Sequence, residues 1–166
     1  AAYYFIYKIS QFINKKKIST IADLGCGSGR LTNFLSDQTK AKIYGYEIDN
    51  ESYQIAKENK NHDVKIFNTN IVDIDFKSLE AECFIFNGPL YKSEHRSDFE
   101  KLINSIHDCK KKLSKKYYII GINLDEDKRH NAEDRNYIFN NKNLSKIVVA
   151  GPNKKVKFFE YDPKDF

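Results

Sequence analysis

A short apolar run, Ile21-Ala22, meets an acid at Asp23, and three glycines follow on alternate positions, Gly25, Gly27 and Gly29. Leu31, Phe34 and Leu35 then recur at helical spacing. A strand, a tight glycine turn and the opening of a helix are the parts with which an α/β protein presents backbone N–H groups to a nucleotide-like ligand. A dinucleotide turn of the form G-x-G-x-x-G/A needs a small sixth residue so that helix and strand can approach. Counted from Gly25 the sixth residue is Arg30, and counted from Gly27 it is Thr32. Neither is small, so a pyrophosphate ligand is disfavoured. No G-x-x-x-x-G-K-[ST] occurs, so a Walker phosphate loop is excluded.

A second acid lies at the matching distance. Lys42-Ile43-Tyr44-Gly45-Tyr46 alternates as a strand and ends in Glu47-Ile48-Asp49. A carboxylate closing the second strand, about 20 residues past the glycines, is placed to accept hydrogen bonds from two ribose hydroxyls. Glu47 is the first candidate. Asp49 is the next, with the alternative that it caps the helix beginning near Glu51.

The pattern acid-x-G-x-G-x-G, with Glu47 behind it, resembles the first motifs of class I (Rossmann-like) methyltransferases, which bind S-adenosyl-L-methionine. The resemblance implies that Gly25, Cys26, Gly27 and Gly29 pass close to the methionine part of the cofactor. Cys26 would contribute mainly its backbone. Asp23 would anchor the turn and the cofactor's amino group. Ligands of open α/β sheets bind outside the carboxyl ends of the strands. The site is therefore expected to include Asn70, facing the adenine amino group or ring nitrogens. Ile48 and Ile71 either sandwich that ring or belong to the core.

Asn87-Gly88-Pro89-Leu90-Tyr91 follows the expected fourth strand. Its position is similar to that of the (Asn/Asp)-Pro-Pro-(Tyr/Phe) motif of amino-methylating enzymes. Gly88 stands where that motif has its first proline, and Tyr91 comes one residue late. The segment looks closer to the Asn-x-Pro-(Phe/Leu) form of small stand-alone bacterial methyltransferases. The resemblance implies catalytic roles for Asn87, orienting the acceptor, and Tyr91, shaping its pocket. His95, or Glu94 beside it, is the candidate base. A plain turn after the strand is the alternative for Gly88-Pro89.

Apolar spacing lays out the rest. Phe5, Ile6, Ile9, Phe12 and Ile13 form an amphipathic helix before the first strand, so residues 1–16 are expected to pack on the core. Strands are expected at 19–24, 42–47, 64–67, 83–86, 117–122, 147–150 and 156–161. Helices are expected at 29–37, 50–59, 99–113 and 133–139, with a less regular connection anchored by Ile71, Ile74 and Phe76. Gly151-Pro152-Asn153 is a turn signal that makes the last two strands antiparallel neighbours. The expected fold is α/β, a three-layer sandwich. Its seven-stranded, mostly parallel, doubly wound sheet ends in an antiparallel strand, and residues 1–166 make a single domain.

The 166 residues suffice for one sizeable core. No apolar run reaches membrane-spanning length, and the start lacks the features of a signal peptide. No methionine occurs, so the chain is expected to begin downstream of an initiator. Three scattered cysteines offer neither a disulfide framework nor a zinc site, which makes a cytoplasmic setting the default. His62, His107 and His130 have no partners at metal-ligand spacing, and no metal is expected. The net charge of +5 comes mostly from lysine, in clusters at 15–17, 110–112, 115–116 and 154–157. Arginine, the usual partner of base and phosphate forks, occurs only at 30, 96, 129 and 135. The clusters therefore read as solvated surface rather than a nucleic-acid footprint.

The function expected is methyl transfer from S-adenosyl-L-methionine to an unidentified acceptor: a small molecule, a protein or a nucleic acid. The alternatives are a non-catalytic cofactor-binding or regulatory module of a methyltransferase assembly, and an amino-methylating enzyme acting on a nucleic-acid base. A nicotinamide-dependent oxidoreductase is disfavoured by Arg30.

Overall fold

The structure, a computed structural model, describes residues 2–76, 78, 79, 81–86, 96–108, 117–121, 147–150 and 158–161. Its elements are α1 (Ala2–Lys16), β1 (Thr20–Leu24), α2 (Arg30–Gln38), β2 (Lys42–Glu47), α3 (Asn50–Asn59), β3 (Val64–Asn68), a 3-10 turn (Ile71–Asp73), β4 (Cys83–Phe86) and α4 (Arg96–Asp108). Three further short strands follow: β5 (Tyr117–Gly121), β6 (Ile147–Ala150) and β7 (Phe158–Tyr161).

The fold is α/β and Rossmann-like. β1 to β4 form a parallel sheet in the order β3-β2-β1-β4. The chain winds outward from β1 to β3, then returns to lay β4 on the other side of β1. The order therefore reverses between β1 and β4, the switch point at which open sheets bind ligands. Burial follows the same order: Cys83–Phe86 of β4 and Ile21–Leu24 of β1 are buried throughout, whereas β3 keeps only Val64 buried. Continuous apolar runs suit strands covered on both faces, and β3 is the exposed edge of the four.

Side-chain parity decides which face each residue serves. Ile21, Ile43, Val64, Cys83 and Ile85 point to one face and pack with Ile9, Phe12 and Ile13 of α1 and Leu31 and Leu35 of α2. Ile9, Phe12 and Ile13 of α1 are buried in that cluster. The opposite face is aromatic. Phe76 meets Phe84 edge-on at 5.8 Å, and Phe86 meets Phe99 of α4 at 5.5 Å, the geometry ring quadrupoles favour.

The bounds of β2, α3, β4 and β6 are those expected, and the described ends of the other elements differ from expectation by at most three residues. α2 starts at Arg30 because Gly29 is its N-cap, in the left-handed region at φ 81. α4 starts at Arg96, three residues before its first apolar position, because its first turn is polar and apolar spacing cannot register it. The connection after β3 contains the 3-10 turn, opened by Asn70, whose side chain accepts from the Val72 N–H. The expected helix at 133–139 and residues 109–113 of the expected 99–113 helix lie outside the described residues.

Lys15 and Lys16 occupy the last turn of α1, where cations oppose the helix dipole favourably. This gives the first lysine cluster a structural cause.

Candidate functional site

The carboxyl ends of β1 and β2 are stitched together by the glycine loop. The N–H groups of Gly25 and Cys26 both donate to the Tyr46 carbonyl, at 2.9 and 3.0 Å. The Gly27 N–H donates to Glu47 Oε2 at 2.8 Å, and Glu47 Oε1 accepts from the Asp49 N–H at 2.8 Å. Glu47 therefore sits on the rim with its carboxylate clamped between the loop after β1 and the loop after β2. Each of its oxygens retains a lone pair for a further donor. Behind it, Asn68 Nδ2 donates to the carbonyls of Glu47 and Ile48, tying the end of β3 to the same point.

Gly25, Gly27 and Gly29 have φ of 81, 57 and 81, values that side chains other than glycine's rarely tolerate. Open space lies where a Cβ would stand on Gly25 or Gly27. At Gly29 a Cβ would press against Thr32 Oγ1 and Ala56 Cβ, at 3.2 and 3.3 Å. The first two glycines border a cradle, and the third lets α2 and α3 close behind it. Gly45, in mid-strand β2, has a separate role. A Cβ there would come within 2.7 Å of Ile66 Cδ1 and 2.9 Å of Cys26 Sγ. Gly45 makes room for the loop to fold back onto the sheet. Glycine inside a strand pattern is the sequence signal for such a close approach, although alternation alone makes Gly45 only a strand residue.

Asp23 is the unusual group. Parity puts it on the same face as Ile21, and its register neighbours are Gly45 on one side and Ile85 on the other. It is 1% exposed, and among the described residues neither carboxylate oxygen has a hydrogen-bond partner. Burial, and secondarily the Glu47 charge, push its pKa from 3.8 up to about 7. A second carboxylate nearby and, among the described residues, no counter-charge make this a site short of a cation.

The other expected positions divide. Cys26 is half-buried, and burial, then Asp23 and Glu47, push its thiol up to about 12, so it stays protonated near neutrality. Its Sγ lies 3.8 Å from the Gly27 carbonyl. Ile48 projects from the rim, 64% exposed, which is not a core position. Asp49 caps α3, accepting from the Ser52 N–H at 2.8 Å, and that bond lowers its pKa. Asn70 and Ile71 lie at the 3-10 turn beyond β3. Asn87, Tyr91 and His95, with Glu94, lie outside the described residues.

The donor set fits the cofactor that the sequence resemblance implies. An ammonium or sulfonium centre would supply the charge that Asp23 and Glu47 lack, ribose hydroxyls would match the free lone pairs of Glu47, and the Gly25–Gly27 cradle has open space for a ligand chain. Among the described residues no group of three His, Cys, Asp or Glu side chains is placed to hold a metal ion. None of their helices is long and apolar enough to cross a membrane.

Comparison with known proteins gives the family and the fold. Residues 21–113 match the family model of the methyltransferase domain. That match covers more than half of the chain and includes the glycine loop, Glu47 and β4. The chain belongs to this family, the class I S-adenosylmethionine-dependent methyltransferases. A ribosomal RNA small subunit methyltransferase A from Mesomycoplasma hyopneumoniae is 38% identical over 85 residues, covering 51% of this chain and 32% of that protein. The chain thus spans about a third of the length of the curated relatives it matches. Among solved structures, DesVI of Streptomyces venezuelae superposes with a TM-score of 0.52 at 11% identity, over 62% of this chain and 44% of that one. Residues 961–1257 of the StiE O-MT give 0.50 at 19% identity, over 62% and 38%. At such identities these two establish the shared fold.

Proposed function

We propose that this chain transfers a methyl group from S-adenosyl-L-methionine to an acceptor by in-line displacement. The observation that carries the reading is the pair of carboxylates, Asp23 and Glu47, set around an open glycine cradle at the switch point. When bound, the sulfonium cofactor supplies an activated methyl carbon. The chain's own residues grip and align. Glu47 accepts from the ribose hydroxyls, Asp23 faces the cationic amino-acid end, and Gly25 and Gly27 let that end lie against the backbone. Ile48 and Ile71 flank the adenine and Asn70 meets its edge, with Asp49 a further ribose contact. Asn87 orients the acceptor's lone pair in line at near-attack distance, Tyr91 shapes the acceptor pocket, and His95 or Glu94 takes a proton where the acceptor carries one.

The same reading takes residues 1–166 as one domain of a three-layer sandwich with a seven-stranded sheet. Parallel pairing of β4 with β5 and of β5 with β6, and antiparallel pairing of Ile147–Ala150 with Phe158–Tyr161, support it. The reading includes a cytoplasmic setting, supported by scattered cysteines of which Cys26 and Cys83 are free.

A nucleic-acid base is the acceptor that a specific observation favours, namely the 38% identity to a ribosomal RNA methyltransferase. Calorimetry tests the cofactor reading. S-adenosyl-L-methionine and its demethylated product S-adenosylhomocysteine are expected to bind and to raise the unfolding temperature, with NAD inert. Absence of binding by both overturns the reading. In a turnover assay, Asn87→Ala is expected to lower methyl transfer with cofactor affinity intact; an unchanged rate removes Asn87 from the mechanism.

A further inference from the structure

The outer face of β2 and β3 has a composition that the cofactor site does not explain. The parallel register sets Tyr44 beside Lys65 and Tyr46 beside Phe67. The three rings lie side by side: Phe67 is 5.2 Å from Tyr46 and 6.4 Å from Tyr44, at interplanar angles of 21° and 19°. Phe67 is nevertheless 39% exposed. Lys65 Nζ stands 5.9 Å from the Tyr44 ring centroid. At the start of the two strands this face runs into a cavity of about 490 Å³ lined by Lys40, Lys42, Tyr44, His62, Asp63 and Lys65. Among the described residues none of the three lysines has a carboxylate partner, and Asp63 is turned to His62 at 3.2 Å.

A lysine on an edge strand is ordinary protection against edge-to-edge pairing. That accounts for Lys65 alone. It does not account for an exposed ring on the same strand, or for Lys40 and Lys42 lining the same cavity as Lys65 from a neighbouring loop and strand. Aromatic rings on an open sheet face, flanked by cations, are how proteins stack unpaired bases while neutralising the backbone between them.

We propose that this face is a docking track for single-stranded RNA, with Phe67 and Tyr44 stacking bases and Lys40, Lys42 and Lys65 meeting phosphates. From Lys42 to Glu47 is five residues, about 16 Å of strand, so the track leads along β2 to the cofactor rim. It rests on the methyl-transfer reading only for its purpose, giving the acceptor a class.

The test is fluorescence anisotropy of a labelled 12-nucleotide oligouridylate with the full chain, without cofactor, from 50 to 200 mM salt. The expected result is salt-dependent binding by the wild type. The double variant Lys42→Glu/Lys65→Glu should bind at least tenfold more weakly, and its slope of log affinity against log salt should be shallower by about 1.4. Phe67→Ala should weaken binding at least fivefold with the slope unchanged. Both substitutions are at exposed positions, and circular dichroism checks their fold. Wild-type affinity in the lysine variant overturns the track. So does failure of the wild type to bind RNA while it self-associates through Phe67, which would assign the face to a second copy. A thermal shift with S-adenosylhomocysteine is run in parallel. A shift without RNA binding overturns the track alone, and RNA binding without a shift supports the track while removing the cofactor reading.

Discussion

The two ends of the central strands treat polar groups in opposite ways. At the amino ends of β1 and β2, the backbone groups and the side chains of Glu82, Asn61 and Asn14 find partners inside the protein, while, among the described residues, the Lys40 and Lys42 side chains stand outside that network. Glu82 Oε1 accepts from the Ser19 N–H at 3.0 Å and from the Ser19 hydroxyl. Lys42 N donates to the Ser19 carbonyl and Glu82 N to the Thr20 carbonyl. Nearby, Asn61 bonds to Asn33 and Asp37, and Asn14 to the Gln38 carbonyl. At the carboxyl ends, three backbone residues take positive φ, a carboxylate is buried without a described partner, and a second carboxylate stands close enough to raise its pKa. The satisfied end is scaffold. On the proposed reading, the unsatisfied end holds free energy that a cationic ligand would release.

The largest expected effect is at Asp23. Its folded pKa, about 7, lies above the unfolded value of 3.8. The folded state therefore binds more protons between those values, and stability falls as pH rises from about 4 to 7 and levels off above. A shift of about three units corresponds to on the order of 4 kcal/mol. Asp23→Asn removes the charge but buries an amide, at a cost of about 1–3 kcal/mol. Thermal melts should thus show the Asp23→Asn variant more stable than wild type by about 2 kcal/mol at pH 8. The same variant should lose most of the pH 4–7 slope and bind S-adenosyl-L-methionine more weakly. In the wild type, affinity should rise from pH 6 to 8, because the cation favours the ionised carboxyl. Destabilisation of the Asp23→Asn variant at pH 8 would mean that the buried acid is part of the scaffold after all.

The second effect sharpens the contrast at Glu47. Glu47→Gln keeps the shape but leaves one of the Gly27 and Asp49 N–H groups without its acceptor and removes the charge. Cofactor affinity should fall by about 2 kcal/mol, the scale of a hydrogen bond to a charged group, or roughly thirtyfold. The Asp23 pKa should fall as well, because the Glu47 charge is one of the two causes raising it. Calorimetry reads the affinity, and the pH dependence of melting reads the coupling. Unchanged affinity would leave Glu47 as a clamp for the loop only.

Much of this was legible in the sequence. The alternate glycines and the apolar run before them located the loop, and Glu47 lies on the rim where the spacing put it. Helical spacing found the inner faces of α1 and α2 because those helices are amphipathic. What escaped depends on register. That Asp23 lies between Gly45 and Ile85, and so has no neighbour to bond, follows only once three strands are aligned. Gly45 alternates like any strand residue until the loop folds back on it. The lysine run at 15–17 closes α1, with Lys15 and Lys16 in its last turn. Lys65, which lines one cavity with Lys40 and Lys42, lies more than twenty residues from them in the chain. Local runs report local causes such as a helix end, whereas a patch is assembled by the fold.

The smallest effect bears on the scaffold end. Glu82→Ala removes the acceptor for both Ser19 donors but creates no buried charge, and Ser19 is exposed to water that can replace the bond. A loss of about 1 kcal/mol is the typical net contribution of such bonds. Cofactor affinity should not change, since the substitution lies at the far end of β1 from the rim, four residues or about 13 Å away along the strand. Parallel melting and titration separate the two quantities. If Glu82→Ala weakened S-adenosyl-L-methionine binding by as much as Glu47→Gln, the strands would be transmitting strain from one end to the other. The division into a settled scaffold and a ligand-demanding rim would then fail.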